Sequence, residues 1–246
     1  MKKLLPILFA LVLCACNDEK KDAPQGKNLH ISGTVKGLRK GTLYIKKIED
    51  TTFVTLDSIV IDGNPDFESY LNIESPEMYY LFLNRGETNS MDDKLLFFAE
   101  PGDIHIDTRL DGFFAKAKIT GSENQKLYEQ YLKLKSRYTD KNLDLIKLSA
   151  ETSDPKKLDS LDKQHVSLLK RHYLYTVNFA VNNASHEVGP YVAVSELPDA
   201  GVAGLQYMDT ICKSMTPKVA NSAYGQLLKK YVDQLKEEQQ EKASIN

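Results

Sequence analysis

Apolar and polar residues alternate along most of the segment from Leu29 to about Thr120, and turn residues interrupt this alternation roughly every ten positions. Such a period of two is typical of β-strands with one buried face. Leu29, Ile31 and Val35 define the first strand, and the run Met78–Leu83 has so few polar residues that it predicts a central strand. About eight short strands without intervening helices predict an antiparallel β-sandwich or a partly open barrel.

One stretch of this segment predicts a hairpin. The apolar run from Leu95 to Ala99 stops at Glu100-Pro101-Gly102-Asp103, and alternation resumes at Ile104 and Ile106. Proline and glycine are favoured at the two central positions of a type II turn. We therefore expect a strand buried on both faces, a tight turn and a half-exposed strand. A last strand is expected around Phe113 to Thr120.

The period changes after Gly121 to that of amphipathic helices. Ser122 and Gln125 have the spacing of a capping box, and Asp154-Pro155 has the sequence of a second helix start. Pro217 is expected to begin the final helix. The sequence thus predicts an α+β protein with a β-rich domain over residues 28–121, a helical domain over residues 122–240 and a disordered tail over residues 241–246.

The first residues have the pattern of a bacterial lipoprotein signal. Lys2 and Lys3 precede an apolar core, and Leu13-Cys14-Ala15-Cys16 resembles a lipobox with Cys16 as the lipidated residue. Cleavage before Cys14 would place bulky Leu13 at the cleavage site, and an ordinary secretory signal is the other alternative. We expect a signal peptide over residues 1–15 and an acylated Cys16 that anchors the protein to a membrane without a transmembrane helix.

Residues 16–27 are polar and contain proline and glycine, so they predict a flexible tether. The acidic pair Asp18-Glu19 resembles a signal that sends some lipoproteins to the outer face of the outer membrane, although a plain solvated spacer fits equally well. The expected location is the cell envelope, lipid-anchored at the outer membrane and either periplasmic or surface-exposed.

Composition narrows the classes of partner and chemistry. The chain has 246 residues and a formal net charge of −2, which becomes −4 when residues 1–15 are removed. This acidic balance, without a basic stripe, argues against nucleic acid as a partner. Cys212 is the one thiol outside the signal region, so no disulfide is expected within the folded part.

None of the catalytic or cofactor-binding motifs that we considered is complete in this sequence. His165 and His172 are seven positions apart on one predicted helix, roughly 10 Å, which is too far for one metal ion. His186-Glu187 lacks the second histidine of a zinc-protease motif, and neither a GxSxG motif nor a P-loop is present. Ile211 next to Cys212 indicates a packed thiol. We therefore predict no catalytic residue, no metal site and no cofactor.

Adjacent aromatic residues on the predicted strands remain as a candidate binding surface. One member of each pair has to face away from the other, because successive side chains of a strand point to opposite faces. Helices that cover the second face are the alternative, and otherwise the surface suits a glycan, a peptide or an envelope protein. The candidate residues are Tyr79, Tyr80, Phe97, Phe98, Phe113 and Phe114.

The order of several short motifs resembles a family of bacterial envelope lipoproteins. Its members have an N-terminal β-rich domain of unknown function, followed in many of them by a helical linker and a thioredoxin-like domain. The CxxC motif of a redox domain is absent from this sequence, so the resemblance implies no thiol–disulfide activity here. The motifs are Ile31–Val35, Leu56-Asp57-Ser58, Asp62-Gly63, Phe67, Glu100–Asp103, Gly121-Ser122, Asn182, His186–Gly189 and Tyr191, within residues 28–195.

These sequence features are compatible with three functions. The first is a non-catalytic, envelope-anchored lipoprotein that acts as a binding or scaffolding module. The second is an accessory or substrate-docking partner of thioredoxin-like redox proteins. The third is a hydrolase whose site the motifs do not reveal.

Overall fold

The computed structural model describes residues 24–85, 90–197 and 204–245. The predicted signal peptide, Cys16 and most of the predicted tether lie outside these residues. The described chain has eight strands in two sheets followed by six helices, which confirms the predicted α+β class. The two sheets are not closed into a barrel.

Each sheet contains four strands. Sheet I has the order β4–β1–β7–β8, and sheet II has the order β3–β2–β5–β6, so β5 is an interior strand as its apolar sequence predicts. The strands are β1 Leu29–Lys36, β2 Lys40–Glu49, β3 Thr52–Asp62, β4 Asp66–Leu71, β5 Glu77–Asn84, β6 Lys94–Ala99, β7 Gly102–Arg109 and β8 Lys118–Thr120.

The inward-facing side chains of both sheets form one sandwich core. The alternation in β1 and β7 is nearly perfect, because Ile31, Val35, Ile104 and Ile106 are buried while their neighbours are not. The described strands pair antiparallel with one exception, which is the parallel pair of β1 and β7 in sheet I. The other core residues include Leu29, Leu43, Ile45, Phe67, Tyr79, Leu81, Leu95, Phe97 and Phe113.

The predicted hairpin from Leu95 to Asp107 is wrong in its pairing, although its burial pattern is right. β6 pairs with β5 in sheet II, whereas β7 pairs with β1 in sheet I, so Pro101 and Gly102 carry the chain from one sheet to the other. Gly102 has a φ of 123°, and its N–H donates to the oxygen of Asn28 at 2.9 Å. Turn residues predict that the chain reverses, but not which strand it pairs with afterwards.

The last strand is shorter than expected. Residues 111–116 form turns, and β8 contains only three residues. Asp92 holds this segment, because its carboxylate accepts hydrogen bonds from the N–H groups of Phe113 and Phe114 at 3.2 Å each. Phe113 is buried without belonging to a strand.

The helices are α1 Glu123–Ala150, α2 Pro155–Asn182, α3 Val188–Glu196, α4 Leu205–Ser214, α5 Pro217–Ala220 and α6 Ala223–Ile245. The helix that Pro217 begins stops after one turn, and a new helix starts at Ala223. α6 then continues to Ile245, through the polar segment where a disordered tail was expected. Glu, Gln and Lys are strong helix formers, which explains this continuation.

The start of α1 is tied to the β6 edge of sheet II. Ser122 caps the helix by accepting from the N–H of Gln125 at 2.9 Å. The Gln125 side chain does not return to the cap, as it would in a full capping box, but accepts from the N–H of Phe98 on β6 at 2.9 Å. This bond satisfies a buried backbone group at the strand edge.

Two further cores hold the helices. An aromatic joint core lies between sheet II and the helices and contains Met78, Phe98, Tyr128, Tyr131, Phe179, Val188 and Val192. A second core lies among α2, α3, α4 and α6 and includes Val177, Ala180, Ala193, Met208, Ile211, Leu228 and Val232. The outer half of the α1–α2 hairpin is more exposed and carries Leu143, Ile146, Leu148, Val166 and Leu169 on its surface.

The close approach of β1 and β7 gives a test of this fold. A Cβ atom on Gly33 would overlap the backbone oxygen of Ile106, and it would lie 3.0 Å from the Phe67 ring. Gly33→Ala should therefore lower the free energy of unfolding by about 3 kcal/mol, measured by equilibrium urea unfolding. Gly63→Ala is the control, because Gly63 has a positive φ but open space around it, and should cost only about 1 kcal/mol. Equal losses for the two variants would contradict the described register.

Candidate binding surface

The outer face of sheet II is divided into a covered end and an open end. At the covered end, Phe98 and its register partner Met78 are buried in the joint core. The N–H of Met78 donates to the Tyr224 hydroxyl of α6 at 2.9 Å, which fixes that helix on the sheet. The helices therefore cover only the part of this face near the start of β5 and the end of β6.

The open end carries a group of side chains that we call the aromatic patch. In the strand register, Tyr44 lies opposite Phe82, and Lys46 lies opposite Tyr80. Side chains of opposite residues share a face of the sheet, so these four lie together on the outer face. The members of the aromatic patch are Tyr44, Lys46, Phe53, Tyr80, Phe82 and Lys94.

The rings of the aromatic patch meet edge to face. The centroid of Phe53 lies 5.0 Å from those of Tyr80 and Phe82, with interplanar angles of 88° and 78°. Edge-to-face geometry is favourable because the positive ring edge meets the negative face. Phe53 remains 47% exposed, and partial burial raises the pKa of Tyr80. The result is an uneven apolar surface rather than a single flat ring.

Two lysines add positive charge to the aromatic patch. Lys46 Nζ lies 5.1 Å from the Tyr44 centroid and 4.9 Å from the Phe82 centroid, and Lys94 Nζ lies 5.6 Å from the Phe82 centroid. These are cation–π distances. Within the described residues neither lysine has a carboxylate within 4 Å. The patch can therefore offer apolar contact and positive charge to one ligand.

The six aromatic residues predicted from the sequence occupy different places. Tyr79, Phe97 and Phe113 face the sandwich core, and burial raises the pKa of Tyr79 to about 12. Phe98 is buried in the joint core, so helices cover this position. Tyr80 belongs to the aromatic patch, and Phe114 is 56% exposed in the turn before β8. Of the six, only Tyr80 and Phe114 reach the surface.

Sequence reasoning missed Tyr44, Phe53 and Phe82 because it looked for adjacent aromatic residues. Residues two apart share a strand face, so the pairs Tyr44 with Lys46 and Tyr80 with Phe82 are the relevant signal. The contribution of Phe53 depends on the pairing of β3 with β2, which contains a bulge between Ile45 and Lys46.

The outer face of sheet I brings a serine, a histidine and an aspartate into one hydrogen-bonded chain. Ser32 Oγ lies 3.1 Å from His105 Nδ1, and His105 Nε2 lies 3.2 Å from Asp107 Oδ1. Ser32 is on β1, whose backbone pairs with strands on both sides, so its N–H groups are used by the sheet. An acyl-transfer site needs free N–H donors to stabilise an oxyanion. The N–H groups of β1 around Ser32 are not free to do this. We therefore interpret Ser32, His105 and Asp107 as a polar network on the surface of sheet I.

The other histidines have structural surroundings. His30 stacks on Tyr70 with centroids 4.4 Å apart and lies 3.0 Å from Asp103. His172 packs beside Tyr138 at 5.0 Å, and burial lowers its pKa. His165 lies in the groove between α1 and α2. In residues 24–85, 90–197 and 204–245 no three His, Cys, Asp or Glu side chains are grouped so that they could hold a metal ion.

Cys212 packs against the core of the helical region. It is partly buried, and burial raises its pKa to about 11. The thiol is therefore protonated at neutral pH, and a protonated thiol is a poor nucleophile.

Comparison with known protein families supports one part of the resemblance described above, namely the β-rich domain of unknown function. Residues 29–128 match the family model of a domain of unknown function (DUF4369), from β1 into the first turns of α1. No curated protein matches the chain. Within the described part of the chain, no helix has the length and apolar character needed to span a bilayer.

Proposed function

We propose that this protein is a non-catalytic, lipid-anchored binding module of the cell envelope, and that the aromatic patch binds an acidic polypeptide segment. The single observation that supports this proposal is the open end of sheet II, where half-exposed rings lie together with two lysines that have no carboxylate within 4 Å among the described residues. Aromatic residues are enriched where proteins bind partners, because they bury a large area at low entropic cost.

The charge of the patch favours an acidic ligand. Lys46 and Lys94 stand over ring faces, where an incoming carboxylate can pair with them while apolar groups contact Phe53. The chain as a whole has a formal net charge of −2, so the positive charge of the aromatic patch is opposite in sign to the net charge of the protein. Complementary charge of this kind directs a partner to the patch and fixes its orientation.

A polypeptide fits the surroundings better than a glycan. Phe53 is on β3, one of the two edge strands of sheet II, which pairs within the sheet with β2 on one side only. A segment that lies along this edge can form main-chain hydrogen bonds while its side chains contact the patch. The ring faces of Tyr44 and Phe82 are approached by Lys46, which leaves less flat ring surface for a sugar.

The lipid anchor is supported by the sequence alone, through the signal pattern that ends at Cys16. The match to a domain of unknown function covers residues 29–128 and names neither an anchor nor a partner. The second hypothesis is that thioredoxin-like proteins are docking partners, and a thioredoxin-like protein can be titrated as an additional probe.

The anchor gives a prediction with a built-in control. Cys16→Ala should abolish incorporation of labelled palmitate and release the protein from the membrane fraction, because the acyl chains supply the membrane affinity. Cys14→Ala should leave both unchanged, since Cys14 precedes the expected cleavage site. Retention of label and membrane binding by Cys16→Ala would exclude Cys16 as the lipidated residue.

The patch is tested with polymers of known charge. The full chain in detergent should bind a random copolymer of glutamate and tyrosine more tightly than one of lysine and tyrosine, as measured by NMR titration of the aromatic residues. Phe53→Ser should weaken binding about tenfold, a typical loss for an aromatic contact at the centre of an interface. Lys46→Glu should weaken it further and reduce its dependence on salt.

Val60→Ser is the matched control, because Val60 is 75% exposed on the same strand but lies outside the aromatic patch. It should bind as the native chain does. Binding of the acidic copolymer that is unchanged by Phe53→Ser would contradict the proposal. A preference for oligogalacturonate over the acidic copolymer would reassign the patch to acidic glycans.

A further inference from the structure

A solvent-open cavity of about 370 Å³ lies on the outer face of sheet I, where β1 and β7 end. It is on the opposite sheet from the aromatic patch and does not depend on the function proposed for that patch. Its lining includes four cationic side chains and one carboxylate, which are Lys36, Arg109, Lys116, Lys118 and Asp107.

The strand register forces these cations together. Lys36 is the register partner of Arg109 in the parallel pair, and Lys118 is the partner of Asp107 on the next strand. Like charges directly opposite each other destabilise a sheet. The Lys36–Arg109 pair is therefore unfavourable unless negative charge lies close to it.

The chain neutralises only part of this charge. Asp111 accepts from Lys116 Nζ at 2.8 Å and from Arg109 Nε at 3.0 Å, and these bonds lower the pKa of Asp111 to about 2. Among the described residues no carboxylate lies within 4 Å of the ammonium group of Lys36 or of Lys118. The contacts of Asp111 show that Arg109 and Lys116 can bind a carboxylate. Within the described residues, Lys36 and Lys118 make no such contact.

The Lys116 side chain and the turn that follows Arg109 are held in place before any ligand arrives. Gly112 has a φ of 114°, and a Cβ there would lie 3.2 Å from the Lys116 side chain, which packs across the glycine. The turn is fixed by Thr108 Oγ1, which donates to the Phe113 oxygen at 2.7 Å, and by Leu110 N–H, which donates to the Lys36 oxygen at 3.0 Å. A preorganised site loses less entropy on binding.

We propose that this cavity binds a phosphate group, either as free phosphate or as the phosphate monoester of a larger molecule. The volume is at the small end of ligand pockets, which suits a compact and multiply charged anion. Arginine and lysine are the usual partners of phosphate oxygens, and Lys36 and Lys118, which pair with no carboxylate of the described residues, can add to the field of the Arg109 guanidinium.

The test uses the full chain carrying Cys16→Ser in detergent, with lysine residues labelled with ¹⁵N. Three probes are titrated at constant ionic strength: inorganic phosphate, glycerol 3-phosphate and dihexanoyl phosphatidic acid, with sodium chloride as the reference. Phosphate should shift the amide signals of Lys36, Lys116 and Lys118 while the chloride reference does not. The tightest of the three probes identifies whether the source is free phosphate, a soluble ester or a lipid headgroup.

The double variant Lys36→Ser with Lys118→Ser should weaken binding of the tightest probe at least tenfold, because it removes the two cations that have no carboxylate within 4 Å in the described part of the chain. Both side chains are exposed, so the variant should keep the native circular dichroism spectrum. Lys156→Ser with Lys230→Ser removes the same charge from exposed helix positions and should bind as the native chain does. Equal weakening in the two double variants, or shifts no larger than those with chloride, would overturn the proposal.

Discussion

The buried amide of Asn124 joins the starts of α1 and α3 to the corner between the two sheets. Its Nδ2 donates to Glu100 Oε2 at 2.6 Å and to Glu187 Oε2 at 3.1 Å, and its Oδ1 accepts from the N–H of Val188 at 2.8 Å. Among the described residues Glu187 Oε1 accepts no hydrogen bond, and the positive charge of Lys218 Nζ lies 3.8 Å from it. Buried polar groups are costly unless they are bonded, so this cluster tolerates one arrangement of the β6–β7 corner, α1 and α3.

That arrangement decides which part of sheet II remains available. Glu100 also accepts from the N–H of Glu123, so the corner between the two sheets caps the helix that packs on one of them. The helices then cover Phe98 and leave the aromatic patch around Phe53 and Tyr80 open. The position of the candidate binding surface therefore depends on where the Asn124 cluster attaches the helices to the sandwich. The cationic cavity lies on sheet I, which the described helices do not cover at that end.

Sequence patterns predict the elements of this protein better than their assembly. Periods of two and of about 3.6 locate the strands and the long helices, because each period reports one buried face of a single element. The partner of β7 is not local information, since Pro101 and Gly102 are compatible with a hairpin and with a corner between sheets. For the same reason, the aromatic patch and the pairing of Lys36 with Arg109 depend on register between strands that are far apart in sequence.

The claim that Asn124 joins the helices to the sandwich is tested most directly by the free energy of unfolding of Asn124→Ala. The account predicts a loss of about 3 kcal/mol, because the buried carboxylate of Glu187 and the half-buried carboxylate of Glu100 both lose a donor. Asn178→Ala, an exposed asparagine on α2, should change the free energy little. A stability of Asn124→Ala equal to that of the native chain would contradict the account.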